Sequence, residues 1–154
     1  MASADRPEMI HATTVAIGGK AILLTGASGS GKSDLGLRLI DRGARLVSDD
    51  YTILAIRNGA LVASAPDTIE GKMEIRGVGI MHFPPLSHIP VALVVELIQS
   101  SERQGIQRMP EDGLTVRIAG VELPTMKLSP FEASATIKVE MRLRQLTEGS
   151  LRHA

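Results

Sequence analysis

Residues 26–33, with the sequence GASGSGKS, combine glycines with a lysine and a serine in the spacing G-x-x-x-x-G-K-[ST]. In this pattern, backbone N–H groups curl around phosphate oxygens, and the following helix directs its positive dipole end at them. Lys32 is placed to bridge the terminal phosphates of a nucleotide, and Ser33 to offer a hydroxyl to Mg²⁺. The predicted nucleotide-binding residues are Gly26, Ala27, Ser28, Gly29, Ser30, Gly31, Lys32 and Ser33.

A glycine-rich turn that binds nothing is the alternative interpretation of this segment. Such a turn requires neither Lys32 nor Ser33, and the four fixed positions would match by chance in well under about one chain in a hundred of this length. We therefore interpret the segment as a phosphate-binding loop.

Two adjacent carboxylates, Asp49 and Asp50, follow the apolar residues Leu46 and Val47. Adjacent side chains of an extended segment point to opposite faces, so one carboxylate can face a metal and the other a substrate. A kinase that acts on a hydroxyl needs a carboxylate to accept the hydroxyl proton and a separate arrangement of charge for the metal. Asp49 and Asp50 can supply the proton acceptor or the charge that holds the metal. The structural alternative is that the two residues only form a polar turn at the end of a strand.

The elements around these residues are predicted to be short strands and two helices. Residues 13–25 indicate two strands around the Gly18–Gly19 turn, the second of which leads into the loop, and a helix of about three turns follows. Asn58 and Gly59 predict a hairpin after the acidic pair. Residues 91–97 predict a buried strand.

The two later segments are less regular. We predict that the polar residues 99–112 form a mobile connection. Ser129 and Glu132, with Pro130 between them, form a capping-box pattern, whereas the alternating apolar residues from 137 to 143 are typical of a strand. We favour a helix there.

Composition limits the partners. The chain has 154 residues, and its 17 Lys and Arg balance 17 Asp and Glu, so no broad positive field favours nucleic acid or an anionic membrane. The longest apolar stretch, residues 89–98, contains Glu96 and is shorter than the ~20 residues of a membrane-spanning helix. With no cysteine, the chain suits a reducing compartment, and we expect a cytoplasmic protein. We predict one domain over 1–154, with tails at 1–8 and 145–154.

Four segments make the chain resemble the catalytic C-terminal domain of HPr kinase/phosphorylase. They are IHATTVAIGGKAILLTGASGSGKS, RLVSDD, the hairpin that follows it, and MEIRGVGI. The family phosphorylates a serine of HPr, a phosphocarrier of the phosphotransferase system that regulates carbon and nitrogen metabolism, and can also remove the phosphate. The resemblance implies an α/β P-loop kinase fold with a central mixed sheet, flanking helices and hairpins. It also implies ATP, Mg²⁺, an HPr-type carrier as partner and a homohexamer.

The resemblance also implies roles for individual residues. His11 matches the family's catalytic histidine, Lys32 the lysine of the phosphate loop, and Asp50 the group that accepts and donates the proton. Ser33 and Glu74 match the magnesium ligands. The remaining matches are the signature positions Asp49, Arg76, Gly77 and Gly79, and Arg108 as the late catalytic arginine.

Three departures from the family pattern have consequences. We expect a compact version without the family's separate N-terminal domain, and Asp34 stands where the family usually has glutamate. The late family loop tied to dephosphorylation aligns near KLSPFEASA, which has neither arginine nor asparagine. We therefore expect weak phosphorylase activity.

Two other functions are compatible with the loop. A small-molecule kinase would need a closed acceptor pocket, whereas the polar residues 99–112 suit an exposed protein surface. A nucleotide-sensing module would keep Lys32 and Ser33 without turnover, but it has no need of both Asp50 and Glu74. The favoured hypothesis is an ATP- and Mg²⁺-dependent protein-serine kinase.

Overall fold

The computed structural model describes residues 6–99 and 114–152. Arg108, and all of the predicted connection 99–112 except residue 99, lie outside the described residues. The helices are α1 (Lys32–Asp41) and α2 (Ala135–Arg152). The strands are β1 (Glu8–His11), β2 (Thr13–Ile17), β3 (Lys20–Thr25), β4 (Arg45–Ser48), β5 (Tyr51–Arg57), β6 (Ala60–Ser64), β7 (Lys72–Ile75), β8 (Gly79–His82), β9 (Ile89–Leu97), β10 (Thr115–Ile118) and β11 (Val121–Leu128).

The described strands form one mixed sheet and one separate hairpin. The main sheet has nine strands in the order β1-β5-β6-β9-β3-β2-β4, with β11 beside β9 and β10 beside β11. Strands β3, β9 and β11 are parallel, so their carboxyl ends meet at one edge. Strands β7 and β8 pair only with each other. The predicted α/β fold with a central mixed sheet, helices and hairpins is confirmed.

The centre of the main sheet is buried on both faces. In β3, Ile22 and Leu24 pack toward the two helices, while Leu23 points to the opposite face and packs against Leu54 of β5 and neighbouring residues. Alternation of this kind follows from the two-residue period of a strand. Because both faces of β3 are covered, the strand that leads into the phosphate loop is held rigidly.

Two turns agree with the sequence prediction. Gly18 and Gly19 have φ of 58° and 79° and join β2 to β3, and Asn58 and Gly59, at 52° and 79°, join β5 to β6. Positive φ at both central positions is what a two-residue hairpin with the native twist requires.

The C-terminal segment is a helix, as favoured, but it begins at Ala135 rather than at the capping-box pattern. The guanidinium of Arg38 donates to the carbonyl of Pro130, which holds the preceding residues as turns against α1. Ala135, Val139 and Leu143 are buried at intervals of four, which is the helical period.

The predicted tails overlap ordered elements. Strand β1 already begins at Glu8, where its pairing with Leu54 of β5 provides backbone partners. Helix α2 continues to Arg152, through the residues predicted as a tail from 145. Neither described helix is long and apolar enough to cross a membrane.

Gly36 allows α1 to lie directly on β2. A Cβ at this position would lie 2.9 Å from Cγ2 of Thr13, a closer approach than side chains tolerate. Thr13 is fully buried, so it has little room to move. The absence of a side chain at Gly36 therefore sets the distance between the helix and the strand.

We expect Gly36→Ala to destabilise the protein by about 1–3 kcal/mol because of this overlap, although alanine normally stabilises a helix interior. Urea unfolding measures the change. Adding Thr13→Ser, which removes the Cγ2 methyl and keeps the hydroxyl, should restore most of the lost stability. A double variant as unstable as Gly36→Ala alone would contradict this explanation.

Candidate active site

The loop between β3 and α1 depends on glycines in unusual backbone conformations. Gly26, Gly29 and Gly31 have φ of 147°, 78° and 101°. A Cβ at Gly26 would lie 2.8 Å from Oγ of Ser30 and 3.0 Å from the carbonyl oxygen of Leu97. The loop is therefore a tight cradle at the carboxyl edge of the sheet, which is where open α/β sheets bind ligands.

Lys32 places a buried positive charge in this cradle. Its side chain folds back, and Nζ donates to the carbonyl oxygens of Gly26 at 2.9 Å and Ala27 at 2.8 Å. Burial lowers the pKa of the Lys32 ammonium, and the negative charge of Asp50 opposes that shift. Neutral carbonyls satisfy hydrogen bonds without neutralising the charge, so an anion in the cradle would stabilise the ammonium.

Two further features fit a phosphate ligand. Ser30 is 2% exposed, and its hydroxyl has no hydrogen-bond partner among the described residues. Helix α1 begins at Lys32, so its first backbone N–H groups and its positive dipole end face the loop. The residues present therefore fit an anion of several phosphate groups.

Asp49 is joined to the loop through Ser33. A single carboxylate oxygen, Oδ1, accepts hydrogen bonds from Oγ of Ser33 at 2.7 Å and from Oγ1 of Thr13 at 3.0 Å. A hydroxyl and a carboxylate side by side after a phosphate loop are the protein ligands that Mg²⁺ uses in nucleotide sites. Within the described residues, no group of three or more His, Cys, Asp or Glu is arranged to hold a metal by itself, so phosphate oxygens and water would have to complete the metal shell.

Asp50 has a different set of partners. It lies between β4 and β5 with φ of 72°, a left-handed conformation that aspartate tolerates better than most residues. Nε2 of His11 donates to its Oδ1 at 2.9 Å, and the ring of His11 stacks on Tyr51 with centroids 5.3 Å apart. The Asp50 side chain is 61% exposed, so its second oxygen can reach an incoming group.

The predicted metal ligand Glu74 and three of the predicted signature residues lie on the separate hairpin. Glu74 is in β7, and Arg76, Gly77 and Gly79 are at and next to the turn, all of them exposed. Met73 is buried, and its methyl would lie 3.7 Å from a Cβ at Gly36, which ties the hairpin to α1. Among the described contacts, no hydrogen bond joins Glu74 to Ser33. The predicted metal role of Glu74 therefore stays a prediction, as does the role of Arg108.

Two residues of the site were missed by sequence reasoning. Thr13 donates to the carboxylate of Asp49 and accepts the backbone N–H of Asp50 at 3.3 Å, so it positions both residues of the acidic pair. The ring of Tyr51 stacks on the ring of His11 and supports it. The available signal was the pair Thr13–Thr14, two polar residues in an otherwise apolar buried strand.

Known proteins resemble this chain in sequence and structure. The family model of the HPr Serine kinase C-terminal domain matches residues 3–145. The HPr kinase/phosphorylase of Prosthecochloris aestuarii is 33% identical over 140 residues, 86% of this chain and 41% of that protein. That of Chlorobium limicola is 36% identical over 133 residues, 80% of this chain and 40% of the relative. The chain thus spans about two fifths of the length of these relatives.

The solved structure of the Hpr(Ser) kinase/phosphatase from Coxiella burnetii is also similar. The alignment covers 93% of this chain and 98% of the Coxiella chain, with 28% sequence identity and a TM-score of 0.76. This likeness extends over nearly the whole chain and agrees with the P-loop kinase fold predicted from the sequence.

The role of the Asp49 carboxylate can be tested through stability. We expect Asp49→Ala to lower the free energy of unfolding by about 1–3 kcal/mol, because the hydroxyls of Thr13 and Ser33 lose their acceptor. Asp49→Asn keeps an acceptor oxygen and should cost much less. Urea unfolding of both variants measures this, and equal losses would show that the hydrogen bonds are not what Asp49 contributes.

Proposed function

Since the chain belongs to the family of HPr serine kinase C-terminal domains, we propose that it transfers the γ-phosphoryl group of ATP to a serine of an HPr-type phosphocarrier protein. The observation that carries this proposal is the buried ammonium of Lys32, whose hydrogen-bond partners among the described residues are the neutral carbonyls of Gly26 and Ala27. A buried charge with neutral partners is costly unless an anion joins it, and the loop around it fits phosphates.

The loop residues would hold the triphosphate. Backbone N–H groups at the start of α1 and the hydroxyl of Ser30 would bind phosphate oxygens, and Lys32 would turn from the loop carbonyls to the terminal phosphates. The resulting charge neutralisation is greatest where negative charge accumulates during transfer. The protein therefore contributes positioning and electrostatic stabilisation rather than covalent chemistry.

Ser33 and Asp49 would hold Mg²⁺, and Glu74 on the β7–β8 hairpin is the further ligand that the family resemblance implies. Mg²⁺ held by these residues would supply positive charge that offsets the negative charge developing during transfer. The hydrogen bond between Oγ of Ser33 and Oδ1 of Asp49, at 2.7 Å, supports this assignment. Both donors are hard oxygen ligands, which Mg²⁺ prefers.

Asp50 would accept the proton of the attacking serine hydroxyl. Its exposure allows a side chain on the surface of another protein to approach, which a metabolite kinase with a closed pocket would not require. The hydrogen bond from His11 fixes the orientation of the carboxylate, and the stacking on Tyr51 fixes the ring of His11. Asp50 is thus oriented by a neighbour while one face stays open.

We further propose that the protein acts as a homohexamer in the cytoplasm and regulates carbon and nitrogen metabolism, as the family resemblance implies.

The proposed reaction is tested by mixing the purified protein with Mg²⁺, ATP labelled in the γ-phosphate and HPr-type carriers from the same organism. We expect the label on one serine, located by mass spectrometry. Asp50→Asn should lower transfer by about a hundredfold or more, because a positioned base contributes about 10²–10⁴, while ATP affinity changes little. Asparagine keeps an acceptor oxygen for His11, so the loss would report the carboxylate charge.

Asp67→Asn is the matched control, since Asp67 is an exposed carboxylate in the short 3-10 turn at Asp67–Ile69. It should leave transfer unchanged. Full activity of Asp50→Asn would refute the assigned base, and ATP binding without transfer to any carrier would favour a nucleotide-sensing module.

The direction of the reaction gives a separate prediction. Because the segment 127–135 lacks the arginine and asparagine of the family's dephosphorylation loop, the forward transfer should prevail. Serine-phosphorylated carrier incubated with inorganic phosphate should therefore release little pyrophosphate, measured by an enzyme-coupled assay. Release at a rate close to that of the forward reaction would contradict this expectation.

A further inference from the structure

Phe131 is an exposed aromatic residue at the rim of the phosphate loop. It is 70% exposed, although its ring carbons Cζ and Cε1 would lie 3.1 and 3.3 Å from a Cβ at Gly31. One edge of the ring therefore covers Gly31, the residue that precedes α1, and most of the ring faces solvent. The solvent-facing surface of the ring is therefore accessible to a group bound at the loop.

The segment that carries Phe131 is anchored to the loop helix. The guanidinium of Arg38 in α1 donates to the carbonyl of Pro130 and also pairs with Asp34 at 3.0 Å. The backbone N–H of Glu132 donates to the carbonyl of Ser129 at 3.4 Å, which closes the turn that presents the ring. The ring is thus held at the rim by its neighbours on both sides in the sequence.

The sheet order places Phe131 on the flank of the loop away from the acidic pair. At the carboxyl edge, β11 pairs with the last residues of β9, and β9 lies beside β3. Strand β4, which leads to Asp49 and Asp50, lies on the other side of β3, beyond β2. The loop after β3 therefore has the carboxylates on one flank and Phe131 on the other.

The two flanks determine which way a bound nucleotide would lie across the loop. The end that reacts must lie near Lys32 and Asp50, and the triphosphate then extends across the N-terminus of α1 toward the other flank. The group attached to the far end of the triphosphate is the nucleoside. An exposed, anchored aromatic ring on that flank is suited to stack on a base.

We propose that Phe131 is the nucleobase platform of this site and stacks on the purine of the bound nucleotide. The inference rests on the proposed function only in taking the ligand to be a nucleoside triphosphate. Stacking uses the flat face of the base, so its contribution should disappear with a ligand that has phosphates and no base.

The test compares ATP with inorganic tripolyphosphate, which carries the phosphates alone. Phe131→Leu keeps an apolar side chain over Gly31 but removes the aromatic face. We expect it to weaken ATP binding about tenfold, within the range measured for loss of one base–aromatic stack, and to change tripolyphosphate binding less than about twofold. Isothermal titration calorimetry gives both dissociation constants.

A second variant supplies an optical readout. The chain contains no tryptophan, so Phe131→Trp introduces a single tryptophan at the rim, which can be excited selectively. Stacking on the purine should quench its emission when ATP and Mg²⁺ are added, whereas tripolyphosphate and Mg²⁺ should leave the emission nearly unchanged. This variant should also retain the affinity for ATP.

Two matched variants serve as controls. Met141→Ala removes an apolar side chain that is 54% exposed on α2, and it should leave both affinities unchanged. Lys32→Ala should lower the affinity for both ATP and tripolyphosphate, because both ligands carry the terminal phosphates.

The possible results separate the inference from the proposed function. If Phe131→Leu lowers the affinity for ATP and for tripolyphosphate equally, the ring only supports the loop. If it lowers neither affinity, the ring does not contribute to binding. Either result would overturn the inference. A loss confined to ATP supports it, even if no carrier is phosphorylated. If neither ligand binds the unaltered protein, the nucleotide site and the platform are both refuted.

Discussion

The candidate site depends on one carboxylate oxygen, Oδ1 of Asp49, which accepts hydrogen bonds from Thr13 and Ser33. These two hydroxyls belong to β2 and to α1, and Asp49 itself follows β4, so a single atom joins three elements. Thr13 makes two further contacts: its hydroxyl accepts the backbone N–H of Asp50, and its methyl group lies against Gly36. The spacing between helix, strand and acidic turn is therefore determined by one small polar network, which packing makes rigid.

The phosphate loop next to this network contains a buried positive charge. Lys32 carries an ammonium whose pKa is lowered by burial, and its hydrogen bonds to two loop carbonyls hold the cradle in shape without neutralising it. The backbone N–H groups at the start of α1 already face the loop, so a bound phosphate group would require only the Lys32 side chain to turn. The same burial that makes the charge costly also strengthens its attraction for an anion.

Sequence reasoning succeeded where structure is encoded locally. The spacing of residues 26–33 and the Asn58–Gly59 turn depend on backbone conformations that only a few residue types adopt, so the pattern is visible without the fold. The start of α2 was misplaced because the bond from Arg38 to Pro130, 92 positions apart in the chain, holds the capping-box residues in turns. The division of labour between Asp49 and Asp50 was left open for the same reason, since each partner comes from β1, β2 or α1. Contacts of this kind depend on sheet order and register, which periodicity does not reveal.

The two flanks of the loop differ in a way that suits a transfer between two large groups. On the flank of β2 and β4, Asp50 is exposed yet oriented by His11, so a hydroxyl on a second protein can approach it without a cavity. On the flank of β9 and β11, Phe131 presents an apolar face beside Gly31. A nucleotide spanning the loop would be held at its base by the second flank, while its terminal phosphate faces the first. In the proposed reaction, with the reactive end directed outward and the base held by Phe131, the protein would not need to enclose its acceptor, because the acceptor's own surface would exclude water from the transferring group.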